Sequence, residues 1–163
     1  MNENPQDSPS LEQELHDQWA SEINPVEVDP RLFFEASTSP ENRFIMQCLG
    51  DVHGKRVLDL GCGYGESAVY FALMGADVTA VDISEGMVKA LLEVASANGI
   101  SIEARTMNAM DLDYPDGSFD IVYAANILHH VEPEAALKEM RRVLRPGGKA
   151  CFWDPLGHNP ENY

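Results

Sequence analysis

At 163 residues, with 44% apolar and 23% charged side chains, the chain is long enough for one domain with its own core, in ordinary globular proportions. Eleven Lys and Arg against 27 Asp and Glu leave a formal net charge of −16. Such a surface repels phosphate backbones and anionic membranes, so a small molecule is the better partner than nucleic acid. No apolar run nears the ~18–20 residues of a membrane span, and MNENPQDSPSLEQELHD has neither the basic start nor the apolar stretch of a secretory signal.

Residues 1–10 are polar and proline-containing and read as a disordered tail. Leu11, Leu15 and Trp19 recur every four residues and place an apolar stripe on a short helix. An irregular stretch with Pro25 and Pro30 follows, then RLFFEAS. Ser39-Pro40-Glu41 reads as a helix start: a serine cap, a proline at the first helical position and an acid in the first turn. Residues 11–50 form an N-terminal helical segment, placed before the first motif as a lid would be.

From Arg56 the pattern becomes regular. RVLDL (56–60) is a short apolar strand, followed by a glycine loop and a helix over 66–74 that Gly75 ends. DVTAVD (77–82) is a second strand. Ser84 caps a helix with Met87, Val88, Leu91, Leu92 and Ala95 on one face, stopped at Asn98-Gly99. SIEARTM (101–107) is a weaker third strand and FDIVYAA (119–125) a fourth. Pro133 opens a helix to about Leu144, RPGG ends it, and KACFWD (149–154) is a fifth strand.

Strands alternating with helices predict a doubly wound α/β fold around a mostly parallel, Rossmann-like sheet. Right-handed crossovers give the order 3-2-1-4-5. Ligands of such sheets bind at the carboxyl ends of the strands, where the order reverses, and Gly61–Gly65 lies there.

Lys138, Arg141, Arg142 and Arg145 fall in the last turns of a predicted helix and complement its dipole. Cys48, Cys62 and Cys151 are far apart without a CxxC pair, so neither a zinc ribbon nor a disulfide framework is expected. Cys48 and Cys151 read as small core residues. Free thiols and the missing secretory signal make a cytoplasmic location the expectation. His129, His130, His158 and Asp154 match no metal-ligand spacing, and no metal is expected.

The loop itself, VLDLGCGYGES, distinguishes between two cofactor classes. Dinucleotide sites carry G-x-G-x-x-G and receive a pyrophosphate. Here the glycines are Gly61, Gly63 and Gly65, and the place of the last dinucleotide glycine holds Glu66. Asp59 adds a second carboxylate, and two of them disfavour a phosphate in a low-dielectric cleft. A cationic ligand without phosphate, such as S-adenosylmethionine, suits the loop better. Asp82 ends the second strand, where an acid can accept both ribose hydroxyls. A dinucleotide enzyme would carry that acid too, so the glycine register decides.

These elements together resemble a class I S-adenosylmethionine-dependent methyltransferase of the broad small-molecule group. VLDLGCGYG resembles its first motif, VTAVDIS its second, DGSFDIVYAANILHHV its fourth-strand motif, and EMRRVLRPGGKACFWDP the approach to its fifth strand. The resemblance covers about Gly54 to Pro155. It implies that Asp59 and the backbone of Gly61, Cys62, Gly63 and the adjoining Gly65 surround the methionine end of the cofactor. It also implies that Asp82 holds the ribose, Ile83 packs on the adenine, and Asn108-Ala109 read the adenine edge. There the family often has Asp-Ala, and asparagine keeps an acceptor; the competing reading is that Asn108 closes a turn. Ala125 and Asn126 would border the ligand.

His130 stands where the family often places a histidine. It is the first candidate for a general base and His129 the second; a hydrogen-bonded structural histidine is the competing reading of both. Such a base is needed only if the acceptor must lose a proton.

The family usually continues past the fifth strand with a further helix and two antiparallel strands, which the sequence ending at Tyr163 lacks. The expectation is therefore an uncovered edge at 149–154, so that either the chain is a fragment of a longer protein or a partner covers the edge, most simply in a symmetric homodimer through 149–163 that gains little activity by pairing. The rival reading is a cofactor-binding module without catalysis.

Overall fold

Alternation along Arg56–Leu60 (β1) sets the layers: Val57 joins one apolar cluster, while Leu58 and Leu60 join the other. In the computed structural model, which describes residues 11–154 except Thr38, β1 is the central strand of five. Its neighbours are Asp77–Asp82 (β2) and Phe119–Ala125 (β4), with Glu103–Thr106 (β3) and Leu144–Trp153 (β5) outermost. The order is β3-β2-β1-β4-β5 and every pairing is parallel, as expected. Val57 faces Val78 and Ile121, while Asp59 faces Ala80 and Tyr123.

One face of the sheet is covered by Glu66–Leu73 (α4) and Glu85–Ala97 (α5), which supply Val69, Phe71, Leu91 and Val94 to the core. The other face packs on Pro133–Val143 (α6) through Met140 and Val143. Ser84 caps α5, its hydroxyl accepting from the Met87 amide at 2.9 Å. Glu132 does the same for α6, with its carboxylate on the Glu134 and Ala135 amides. Among the described residues no helix is long and apolar enough to cross a membrane.

The N-terminal segment has three helices: Leu11–Ala20 (α1), Pro30–Glu35 (α2) and Pro40–Leu49 (α3). The middle one replaces the irregular stretch expected there. Asp29 accepts from the Arg31 and Leu32 amides, and Pro30 occupies the first helical position; this is the cap-plus-proline signal recognised at Ser39-Pro40. At Ser39 itself the proline is in place, but the hydroxyl makes no capping bond. Phe34 of α2 stacks on Tyr70 at a centroid separation of 4.3 Å and meets Phe71 edge-on. With Ile45 and Leu49 of α3 it belongs to the central core.

On α1 the expected apolar stripe is not the docking face. Leu15 and Trp19 are 43% and 54% exposed, and the Leu11 side chain lies outside the described residues. The contacts are made by the polar face 13-16-17-20. Asp17 Oδ1 accepts from Ser84 Oγ and from the Gly86 amide, and Gln13 Nε2 donates to the Ile83 carbonyl. Asp17 is thereby held below the usual carboxylate range, chiefly by the Ser84 hydroxyl. Gly86 admits this approach because a Cβ there would stand 2.8 Å from Asp17 Oδ1 and 3.3 Å from Ala20 Cβ.

α6 stops one residue before the expected end, and β5 starts five residues before the expected Lys149. Leu144 pairs with Phe119 and Lys149 with Ile121, so residues 145–148 bulge out opposite Asp120. A Cβ on Gly148 would meet the Asp120 carbonyl oxygen at 2.8 Å, which is why a glycine turns the chain there. Arg145 lies past the helix and pairs with Asp120, whose carboxylate also accepts from the Arg56 amide. Arg142 reaches from α6 to the Leu112 and Tyr114 carbonyls while binding Glu139, whose carboxyl it pulls down to about 2. These two arginines brace loops as well as sitting near a helix end.

Cys151 is half-buried as a partial core residue, but Cys48 is exposed, contrary to expectation. On α3 the inward positions belong to Ile45 and Leu49. On the outer strand β5, Phe152 and Trp153 are 51% and 40% exposed. Residues 1–10, expected as a tail, and 155–163, part of the expected dimer surface, lie outside the described residues.

Candidate cofactor and acceptor site

The glycine loop follows β1 and leads into α4. Gly61, Gly63 and Gly65 all have positive φ, at 70°, 50° and 93°, a region that glycine enters without steric cost. Close packing adds to the demand at Gly61, where a Cβ would stand 2.5 Å from Ile127 Cδ1, and at Gly65, where it would meet Leu91. Gly63 has open space around it. The Gly61 and Cys62 amides donate to the Val81 carbonyl, tying the loop across to the end of β2.

Asp82 ends β2, is 7% exposed, and has both oxygens engaged by backbone. Oδ2 accepts from the Gly63 amide and Oδ1 from the Ser84 amide, each at 2.9 Å. Each oxygen keeps a second lone pair for a ligand hydroxyl. The carboxylate is thus fixed in place by the loop on one side and the start of α5 on the other.

Two adjoining cavities open here. One, of about 190 Å³, is bounded by Ile83, Met107, Asn108, Ala109, Met110 and Val131; the other, of about 270 Å³, by Cys62, Gly63, Gly65, Ser67, Tyr123 and Ala125. His16, Gly61, Asp82, Asn126 and His130 border both. Every cofactor-binding residue expected from sequence therefore lines one cavity or the other, except Asp59.

Asp59 is 1% exposed and sits behind the lining, its Oδ2 accepting from Ser67 Oγ at 2.7 Å. Burial pushes its carboxyl up to about 7, with the nearby Asp82 charge adding to the rise and the Ser67 hydroxyl opposing it. Cys62 is buried, and desolvation raises its thiol, so its backbone rather than its sulfur serves the loop. Asn108 Oδ1 accepts from the Met110 amide at 2.9 Å, closing a turn while the residue faces the cavity. Asn126 has φ 55°, the one non-glycine residue with positive φ among the described residues; asparagine tolerates that region better than most. Its amide donates to the Trp153 carbonyl, which holds the end of β4 against β5.

The two histidine rings meet at 3.9 Å but differ in partners. His129 Nδ1 lies 2.7 Å from Asp154 Oδ1 and lines neither cavity, while His130 borders both. His130 also meets the His16 ring edge-on at 5.7 Å. Sequence reasoning missed His16, because α1 was read by its apolar stripe. It also missed Ser67 and Tyr123, and it used Glu66 only as a carboxylate set against a pyrophosphate. Glu66 opens α4, borders the second cavity, and is raised by burial despite a hydrogen bond from Tyr64.

Among the described residues no lysine or arginine lines either cavity, so the buried Asp59 and Asp82 have no such cation in that lining to balance them. A ligand bearing positive charge matches this setting and a pyrophosphate does not.

Residues 58–152 match the model of a family described as a methyltransferase domain. The chain belongs to the class I S-adenosylmethionine-dependent methyltransferases. The ubiquinone biosynthesis O-methyltransferase of Alkalilimnicola ehrlichii is 34% identical over 155 residues, which are 91% of this chain and 53% of that protein. An S-adenosylmethionine-dependent methyltransferase structure from Mesorhizobium loti superposes with a TM-score of 0.62 at 29% identity, covering 73% of this chain and 54% of that one. The [4+2]-cyclase SpnF superposes with a TM-score of 0.74 at 26% identity, covering 89% and 60%. The chain spans about half the length of the curated relatives it matches. S-adenosylmethionine is the cofactor of this methyltransferase family, and the uncompensated carboxylates fit its cationic methionine end.

Proposed function

We propose that this chain binds S-adenosylmethionine across the two adjoining cavities and methylates a small-molecule acceptor. The observation that carries the reading is Asp82, pinned by the Gly63 and Ser84 amides where both cavities meet. Asp82 would hold the ribose hydroxyls with its free lone pairs, Ile83 and Asn108-Ala109 would hold the adenine, and Gly61–Gly65 with Ala125 and Asn126 would hold the methionine end. When bound, the cofactor supplies a methyl group on a sulfonium, a good leaving group. The protein's part is to hold the acceptor in line and keep water out.

His130 is the base within this proposal. Its ring borders both cavities, and an imidazole nitrogen there can take the proton of a hydroxyl acceptor. His129 holds Asp154 and so supports the turn that presents His130. The rival, a module that binds cofactor without transfer, shares the same pocket; the name of one similar structure, a [4+2]-cyclase, is a reminder that the fold alone does not determine the chemistry. Calorimetry with S-adenosylmethionine, S-adenosylhomocysteine and NAD is the test of binding. Micromolar binding of the first two and none of NAD is expected, and tight NAD binding would sink the reading. Methyl transfer to a panel of phenols and amines, lost in His130→Ala, separates enzyme from module. Light scattering on the same sample tests the accompanying proposal of a homodimer through β5.

We also assign the lid role to α1, since α2 and α3 contribute to the central core while α1 is fastened mainly by polar contacts at Ser84 and Gly86. Asp17→Ala removes the acceptor that holds it and should cost about 1 kcal/mol, as loss of a helix cap does. Limited proteolysis should then cut faster on the N-terminal side of Pro30. Cofactor should protect those sites in the parent; cleavage indifferent to cofactor would make α1 a plain extension.

A further inference from the structure

Beyond the cofactor cavities lies an open groove of about 670 Å³ between the α1–α2 connection, α2 and the glycine loop. It is lined by the apolar and aromatic Ile23, Leu32, Phe33 and Tyr64 and by the acids Glu22, Glu27, Asp29 and Glu66. Phe33, Tyr64 and Glu66 also border the methionine-end cavity, so they form a common wall between the two spaces. Among the described residues no lysine or arginine lines the groove. Arg31, on the same helix as Phe33, is paired with Glu35 at 3.4 Å.

Resting on the methyltransferase reading, we propose that this groove is where the methyl acceptor enters, and that the acceptor is an apolar compound bearing a protonated amine. Continuity with the methionine-end cavity gives the groove access to the place where a methyl group would be presented. Its apolar and aromatic lining takes an apolar body, and the faces of Phe33 and Tyr64 attract a cation as well. The acids attract an ammonium and repel a carboxylate or phosphate; of the arginines beside the groove, Arg31 is paired with Glu35 and Arg43 donates to the Ala36 carbonyl, so the four acids outnumber them. Glu66 is the innermost of these acids, hydrogen-bonded by Tyr64 and bordering both spaces. It is the specificity-determining residue of the groove. Burial raises its carboxyl, and an ammonium beside it would restore the ionised form.

The test uses three probes of one shape: tyramine, 4-ethylphenol and 3-(4-hydroxyphenyl)propanoate, titrated by calorimetry into protein saturated with S-adenosylhomocysteine. Tyramine should bind at least about tenfold more tightly than the propanoate, with 4-ethylphenol between them. Glu66→Gln should erase most of that preference. The double variant Glu22→Gln, Glu27→Gln should reduce it while leaving S-adenosylhomocysteine affinity unchanged. Equal binding of acid and amine, binding of no probe, or a preference that survives all three substitutions would overturn the groove assignment. Failure of S-adenosylhomocysteine itself to bind would instead overturn the cofactor reading beneath it.

Discussion

Replacing Asp82 with alanine should weaken S-adenosylmethionine binding by roughly 3 kcal/mol or more, about a hundredfold or more. Two losses combine. The ribose hydroxyls lose charge-assisted bonds, which are about twice as strong as neutral ones. The Gly63 and Ser84 amides also lose the acceptor that fixes them at 2.9 Å, so the glycine loop and the start of α5 loosen together. Asp82→Asn separates the effects. Its one remaining carbonyl oxygen can serve a single amide, while its amide group cannot accept, so an intermediate loss of about tenfold is expected. Calorimetry on both variants, with circular dichroism to show that each is folded, measures the difference. An alanine variant that is folded and binds within twofold of the parent would remove Asp82 from the site.

The strand order, the alternating helices and the glycine loop were legible because each rests on a local signal. Hydrophobic runs of strand length, Ser84 before a periodic helix, and Gly75 and Asn98-Gly99 at helix ends are short-range features, and the parallel sheet follows from their alternation. The misreadings arose where local and tertiary signals compete. The bulge at 145–148 depends on Arg145 meeting Asp120 across the sheet, and nothing in RPGG distinguishes a helix stop from a strand bulge. On α1 a stripe of Leu and Trp is the stronger sequence pattern, yet the docking face is Gln13, His16 and Asp17, which looks like a solvated face until Ser84 and Gly86 are brought opposite. Asp29-Pro30 carried the same start signal as Ser39-Pro40 and was obscured by the irregular residues before it. At the site, the glycines, Asp82 and the carboxylate of Glu66 were readable from the motifs, whereas the approach of His16, and of Ser67 and Tyr123, to the same cavity comes only through the fold.

Asp59 should make both folding and cofactor binding depend on pH, in opposite directions. Its carboxyl stands at about 7 because burial strips it of water and Asp82 adds a like charge, whereas in the unfolded chain it returns to about 3.9. Between those values the folded protein holds a proton that the unfolded chain has released. Stability from this group is therefore fully present below about pH 4 and falls as pH rises toward 7, by at most about 1.4 kcal/mol per pH unit. A cation settling over Gly61–Gly65 favours the ionised carboxylate and draws the carboxyl back down, so binding between about pH 5 and 7 must release a proton. Affinity for S-adenosylmethionine should rise with pH across that interval and level off above 7. Calorimetry at pH 6 in two buffers of different ionisation enthalpy reads the released proton directly, and thermal melts over the same range read the stability slope. Asp59→Asn cannot ionise, yet its carbonyl oxygen can still accept from Ser67, so it should flatten both profiles while keeping the fold. Binding at pH 6 with no proton exchange, or a parent stability that does not fall from pH 4 to 7 relative to the Asn variant, would show that Asp59 is already ionised in the folded protein and that burial alone does not govern it.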